Sequence, residues 1–184
     1  MITALDEKTA LVLIDMQNGI VAFPVAHPIA GVIENTVKLA DAFRSAGRPV
    51  VLVNVDPTKF KPSRKEPAPA HGGSFPDDFM VIIPQLNKQD ADICVTKASW
   101  GAFDTTDLDA ELKKIGVTGI VIAGVATSIG VEGTARTAGA LGYNLTFAND
   151  AMTDMVASAH ENSFKYIFPR LGEIDTTENI LKFV

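Results

Sequence analysis

The sequence predicts a three-layer α-β-α fold built on a Rossmann-like open parallel sheet of about six strands. Two observations carry this. Short runs rich in Val and Ile recur along the 184 residues, as expected for strands buried on both faces. Between them lie segments with helical apolar spacing, and repeated strand–helix order implies right-handed crossovers with helices on both faces of the sheet.

The strands are read in order as ALVLI (10–14), VVLVNV (50–55), DICVT (92–96), GIVIAGV (119–125), YNLTFAN (143–149) and a weaker GEID (172–175). In 29–46 the residues Ile29, Val32, Ile33, Val37, Ala40 and Phe43 form a stripe that stops at Gly47, a good C-terminal cap residue. Leu108, Leu112 and Ile115 repeat the pattern before Gly116. Segments 128–141 and 157–168 also suit helices, and TTEN (176–179) reads as the start of a terminal one. No internal repeat or composition break divides the chain, so 1–184 is read as a single domain.

Composition narrows the function classes. Hydrophobic residues make up 47% and charged residues 21%, as in ordinary globular proteins. The apolar runs are far too short to span a membrane. The first residues lack the basic and apolar regions of a signal peptide. A formal net charge of -6 argues against broad nucleic-acid binding. The lone Cys94 rules out an internal disulfide and suits a reducing compartment, so a cytoplasmic protein is expected. Cys94 itself reads as a small buried hydrophobe.

Segment 56–79 interrupts the rhythm as a Pro-rich loop insertion with five prolines and little apolar content. Loops of this length often cover binding sites. Its Lys59, Lys61, Arg64 and Lys65 form either a solvated basic loop or a cover that attracts an anionic substrate or reaches a neighbouring subunit.

Ligands of open parallel sheets bind beyond the carboxyl ends of the strands. Asp15 follows the first strand, Lys97 the third, and 124–130 the fourth. A carboxylate, an ammonium and a helix start with free N–H groups are thus candidates to converge. Taken singly, Asp15 is equally a turn residue and Lys97 a surface ion-pair partner.

Three blocks, LVLIDMQNG, VTKASWGAF and GVATSIGVEGTARTAGALGYNLTFANDAMTD, resemble the isochorismatase-like hydrolases, also called the cysteine hydrolase superfamily. The resemblance runs from about residue 8 to 177, with the blocks in the family's order. It implies an Asp–Lys–Cys triad whose Asp falls on Asp15 and whose Lys falls on Lys97. Its Cys falls on Gly130, six residues after Gly124, so this chain presents a vacant nucleophile position. It also implies a cis Val125–Ala126 peptide, with Thr127 in the same turn, and a homo-oligomer, a dimer or larger.

Glycine forms no thioester, so cysteine-dependent amidase chemistry is not expected. Ser128 reads as a helix N-cap rather than a substitute nucleophile. The nicotinamidase metal site is not matched: Pro57 follows Asp56, and His27, His71 and His160 are scattered, so no metal and no cofactor are expected.

The resemblance then implies the route of isochorismatase-type members. Asp15 protonates the alkene carbon of a vinyl ether, water adds to the oxocarbenium-like centre, and the hemiketal collapses to pyruvate and a diol. This needs a carboxyl pKa raised by burial against the lowering effect of Lys97. Trp100 and Phe103 form either the apolar wall of a pocket or core packing. Gln17 binds a substrate carboxylate or satisfies the turn backbone. Val125, Ala126 and Thr127 border the site. Glu132 and Arg136 form an i,i+4 pair, and Gly130, Gly133, Thr134 and Ala138 give the following helix a small-residue face.

The expected partner is a small anionic or cyclic organic substrate, with neither nucleic acid nor membrane. Two alternatives stay open: a non-catalytic member that binds a small ligand or partner, and hydrolysis of a C–N bond by water activated at Asp15.

Overall fold

The computed structural model describes residues 1–61, 63–64 and 74–184. Six parallel strands form one sheet: β1 Thr9–Ile14, β2 Val50–Val55, β3 Ile93–Lys97, β4 Gly119–Val125, β5 Asn144–Thr153 and β6 Gly172–Asp175. Their order is β3-β2-β1-β4-β5-β6. The chain winds outward from β1 to β3, then returns to β4 on the other side of β1. That reversal makes the carboxyl ends of β1 and β4 the crevice of the sheet.

Strand side chains alternate between two cores. Leu11, Leu13, Leu52, Val121 and Ala123 pack on the face covered by α2 Ile29–Ser45 and α6 Thr177–Ile180. Ala10, Val12, Ile14, Val53 and Ile122 pack on the opposite face, against α3 Leu108–Lys114 and α4 Glu132–Ala140. Short helices α1 Asn18–Val21 and α5 Ala157–Asn162 complete the set. The buried stripe of α2 is Val32, Thr36, Leu39, Ala40 and Phe43, turned slightly from the sequence expectation. Thr36 joins it because its hydroxyl donates to the Ile33 carbonyl at 2.8 Å.

Two expectations need correction. β3 lies at the edge of the sheet, and its residues are only partly covered, so it is not buried on both faces. Cys94 is accordingly exposed rather than a buried hydrophobe, while Lys97, three residues on, is buried. Of the 56–79 loop, only the flanks and residues 63–64 are described. Pro62 and residues 65–73, with Lys65 and His71, lie outside the described residues. The flanks are well tied. Asp56 caps a 3-10 turn, Pro57–Lys59, by accepting from the Thr58 N–H at 3.0 Å. Residues 79–83 lie as a strap along the segment after β1, with Asn18 N–H donating to Val81 O at 2.9 Å and Ile83 N–H to Met16 O at 3.0 Å. Among the described residues no helix is long and apolar enough to cross a membrane.

Candidate active site

Asp15 follows the last residue of β1 and adopts a left-handed backbone with φ 51°, a conformation Asp tolerates better than most residues. Its N–H still donates to Val53 O at 2.9 Å. Lys97, the last residue of β3, reaches across the end of β2, and its Nζ meets Asp15 Oδ2 at 2.7 Å. Nζ also donates to the Ser99 carbonyl at 3.3 Å. Both residues are buried, at 5% exposure for Asp15 and 2% for Lys97.

Two glycines shape the approach from β4. Gly124 has φ 120°, and a Cβ there would fall 2.1 Å from the Ile14 carbonyl oxygen, so only glycine fits between the strand ends. The Val125–Ala126 peptide that follows is cis. A π-helical turn, Thr127–Val131, then leads into α4 and places Gly130 over the ion pair. A Cβ at Gly130 would lie 3.2 Å from Asp15 Oδ2 and 3.6 Å from Lys97 Nζ, but only 2.8 Å from Ile14 Cγ2. The three residues singled out at separate strand ends therefore share one site.

Burial dominates the electrostatics. It pushes the Asp15 carboxyl up to about 6, although the neighbouring Lys97 ammonium opposes the shift by charge and by hydrogen bond. Asp15 Oδ1 is buried and has no hydrogen-bond partner among the described residues. Such an orphaned oxygen is costly unless it carries a proton or meets a ligand.

A cavity of about 240 Å³ opens above this pair. Asp15, Lys97 and Gly130 form its floor, and Val125, Ala126 and Trp100 line it. Sequence reasoning missed the rest of the wall, notably Phe23, Phe60, Phe75, Phe79 and Met155. The available signal was three phenylalanines, Phe60, Phe75 and Phe79, in a loop otherwise poor in apolar residues. Phe75 and Phe79 pack with ring centroids 4.4 Å apart.

Three expected contacts are corrected. Gln17 is fully buried, and its amide is spent on backbone. Its Nε2 donates to Val55 O at 3.2 Å and Phe79 O at 3.0 Å, and its Oε1 accepts from Val55 N–H at 2.7 Å. Phe103 faces away from the cavity and stacks on Tyr143 at 5.8 Å. Thr127 is also fully buried, and its hydroxyl donates to Thr153 O at 3.0 Å rather than facing the cavity.

Nor does Ser128 cap the helix. Its N–H and its hydroxyl both donate to Asp154 Oδ2, at 2.7 and 2.8 Å. The N–H groups of Ile129 and Val131 are likewise taken, both by Ala126 O at 3.1 Å. Three of the donors in 128–131 are thus engaged internally.

Behind the bend, two histidines read as scattered come together. The rings of His27 and His160 lie 4.5 Å apart. His160 Nδ1 sits 2.8 Å from Thr127 Oγ1, and His27 Nδ1 sits 3.0 Å from Thr153 Oγ1. Because the Thr127 hydroxyl proton goes to Thr153 O, His160 Nδ1 is the donor in its pair. Burial, reinforced by His27, lowers the His160 pKa against the opposing pull of Asp154 and Glu161. Among the described residues no group of three or more His, Cys, Asp or Glu side chains is placed to hold a metal ion.

Comparison with known proteins agrees with this architecture. The isochorismatase domain family matches residues 9–179. The chain is 43% identical over 182 residues to the isochorismatase family protein YwoC of Bacillus subtilis, covering 97% of this chain and 95% of that protein. It is 30% identical over 164 residues to nicotinamidase 3 of Arabidopsis thaliana, covering 83% of this chain and 76% of the relative. The solved structure of an isochorismatase family protein from Burkholderia thailandensis superposes with a TM-score of 0.92 at 36% identity, covering 99% and 98% of the two chains. With a matching sheet and a domain match over nearly its whole length, the chain belongs to the isochorismatase family.

Proposed function

We propose that this isochorismatase-family hydrolase cleaves a vinyl ether with Asp15 as general acid, and that Gly130 is a nucleophile position left empty. The observation that supports this best is the buried, unpartnered Oδ1 of a carboxyl whose pKa is pushed up to about 6. Roughly a tenth of such a group is protonated near pH 7, enough to act as an acid. Oδ2 is held by Lys97, so the proton resides on Oδ1, the oxygen free to meet substrate.

In the reaction the Oδ1 proton passes to the terminal alkene carbon, leaving an oxocarbenium-like centre beside the Asp15 carboxylate. Water adds to that centre and returns a proton to the carboxylate. The hemiketal then loses its alcohol, giving pyruvate where the ether is an enolpyruvyl one. Lys97 stabilises the transient carboxylate, and the lack of a side chain at Gly130 keeps the approach to Asp15 open to substrate and water.

The test is pyruvate release from enolpyruvyl ethers. Asp15→Asn is expected to reduce it by about 10²- to 10⁴-fold. An undiminished rate would overturn the reading. A second reading, C–N hydrolysis by water activated at Asp15, draws on the relative named a nicotinamidase and is separated by ammonia release from amides. Ligand binding without turnover, unchanged in Asp15→Asn, would instead establish a non-catalytic binding protein.

A further inference from the structure

The catalytic cavity does not end at Trp100. A second groove of about 450 Å³ shares Phe60, Ser99 and Trp100 with it and continues to Lys59 and Lys61. The two spaces differ in chemistry. The cavity is walled by phenylalanines, and its charges, Asp15 and Lys97, neutralise each other at 2.7 Å. The groove has a polar floor at Ser99 and Thr105 and two ammonium groups on its rim.

Local structure orders the backbone turn that carries those cations. Asp56 Oδ1 accepts from the N–H of Thr58 and from its hydroxyl, at 3.0 and 2.6 Å, closing the turn that presents Lys59 and Lys61 on either side of Phe60. Lys59 is shared with Asp56 Oδ2 at 3.4 Å and remains 70% exposed. Lys61 has no ion-pair partner among the described residues. Two cations thus stand at the end of an apolar path in a chain whose formal net charge is -6.

We propose that this groove is a subsite for an anionic tail. The substrate is then two-part: an apolar, ring-like head seated over Asp15 and a carboxylate or phosphate that crosses the Phe60–Trp100 sill to Lys59 and Lys61. This rests on the cavity being the reactive site, as proposed above, and adds the substrate's second half.

Trp100 is the only tryptophan, so its fluorescence reports on the sill directly. The probes are ω-phenylalkanoates of graded chain length, with the phosphate monoesters and neutral alcohols of matched length. At low salt the anions are expected to bind about tenfold more tightly than the alcohols, the gain two exposed ion pairs supply. The gain should peak at one chain length, shrink with added salt, and vanish in the Lys59→Gln/Lys61→Gln double variant. The carboxylate and phosphate arms tell which anion the groove prefers.

Equal affinity for anions and alcohols would overturn the subsite. So would an anion preference that survives the double variant, or a complete lack of response at Trp100. Binding is read without turnover, so failure here leaves the Asp15→Asn result standing, and the reverse also holds.

Discussion

At Gly130 two energies of opposite sign meet. Replacing a helical glycine with alanine ordinarily stabilises by up to about 1 kcal/mol. Here the added Cβ lies 2.8 Å from Ile14 Cγ2, on a β-branched side chain inside the core, and overpacking costs about 1–3 kcal/mol. Gly130→Ala is therefore expected to destabilise the protein by about 1–2 kcal/mol in denaturant unfolding. Ile14→Ala combined with it should cost less than the two single changes summed, because the clashing methyl is gone. Simple additivity would show that Ile14 does not fill the space. Strand ends singled out Asp15, Lys97 and the 124–130 segment before chemistry was weighed, and the family resemblance pointed to Gly130 within that segment. The sequence did not separate Gln17 and Thr127 from ligand contacts. A polar side chain that satisfies backbone and one that meets substrate look alike until their partners are seen.

At the level of elements, the cavity wall is held by a strap that periodicity does not reveal. Residues 79–83 join the segment after β1 by backbone hydrogen bonds, and the Gln17 amide ties β2 to Phe79. Gln17→Leu would leave Val55 N–H buried without its acceptor and take the side-chain donor from Val55 O and Phe79 O, the latter keeping Gly19 N–H. The expected loss is about 1–3 kcal/mol in denaturant unfolding, with weaker ligand binding as Phe79 loses one of its anchors. A change within 0.5 kcal/mol, of the order seen at unconstrained surface positions, would show that the strap is held without it. β3 carries the complementary lesson. Its Val and Ile content matched a central strand, yet edge position depends on the order of pairing, which no local pattern encodes. Exposed Cys94 is expected to react stoichiometrically with a thiol reagent in the folded protein without loss of turnover, measured by thiol titration. A masked thiol would contradict the edge assignment.

For the whole molecule, the fold was legible because two alternating cores leave a double signature: unbroken apolar strands and striped helices. The loop flanks and the His27–His160 contact were not, since they join segments distant in sequence, 62 residues apart for Gln17 and Phe79 and far more for the two histidines. The buried Asp15 gives the assembled molecule a measurable property of its own. Its carboxyl moves from 3.8 to about 6 on folding, so between those values the folded state binds more protons than the unfolded chain. Stability from this group is fully present below the unfolded value and falls as pH rises through the folded one. Asp175, held down to about 2 by hydrogen bonds from Asn179, Ile2 and Thr176, contributes in the opposite sense at lower pH. Subtracting the unfolding free energy of Asp15→Asn cancels Asp175 and every other group common to both proteins. The wild-type-minus-variant difference should therefore decline between about pH 4 and pH 6 and level off above it. A flat difference across that range would mean that Asp15 titrates as an ordinary solvated carboxylate. Its unpartnered oxygen would then give no reason to expect acid catalysis.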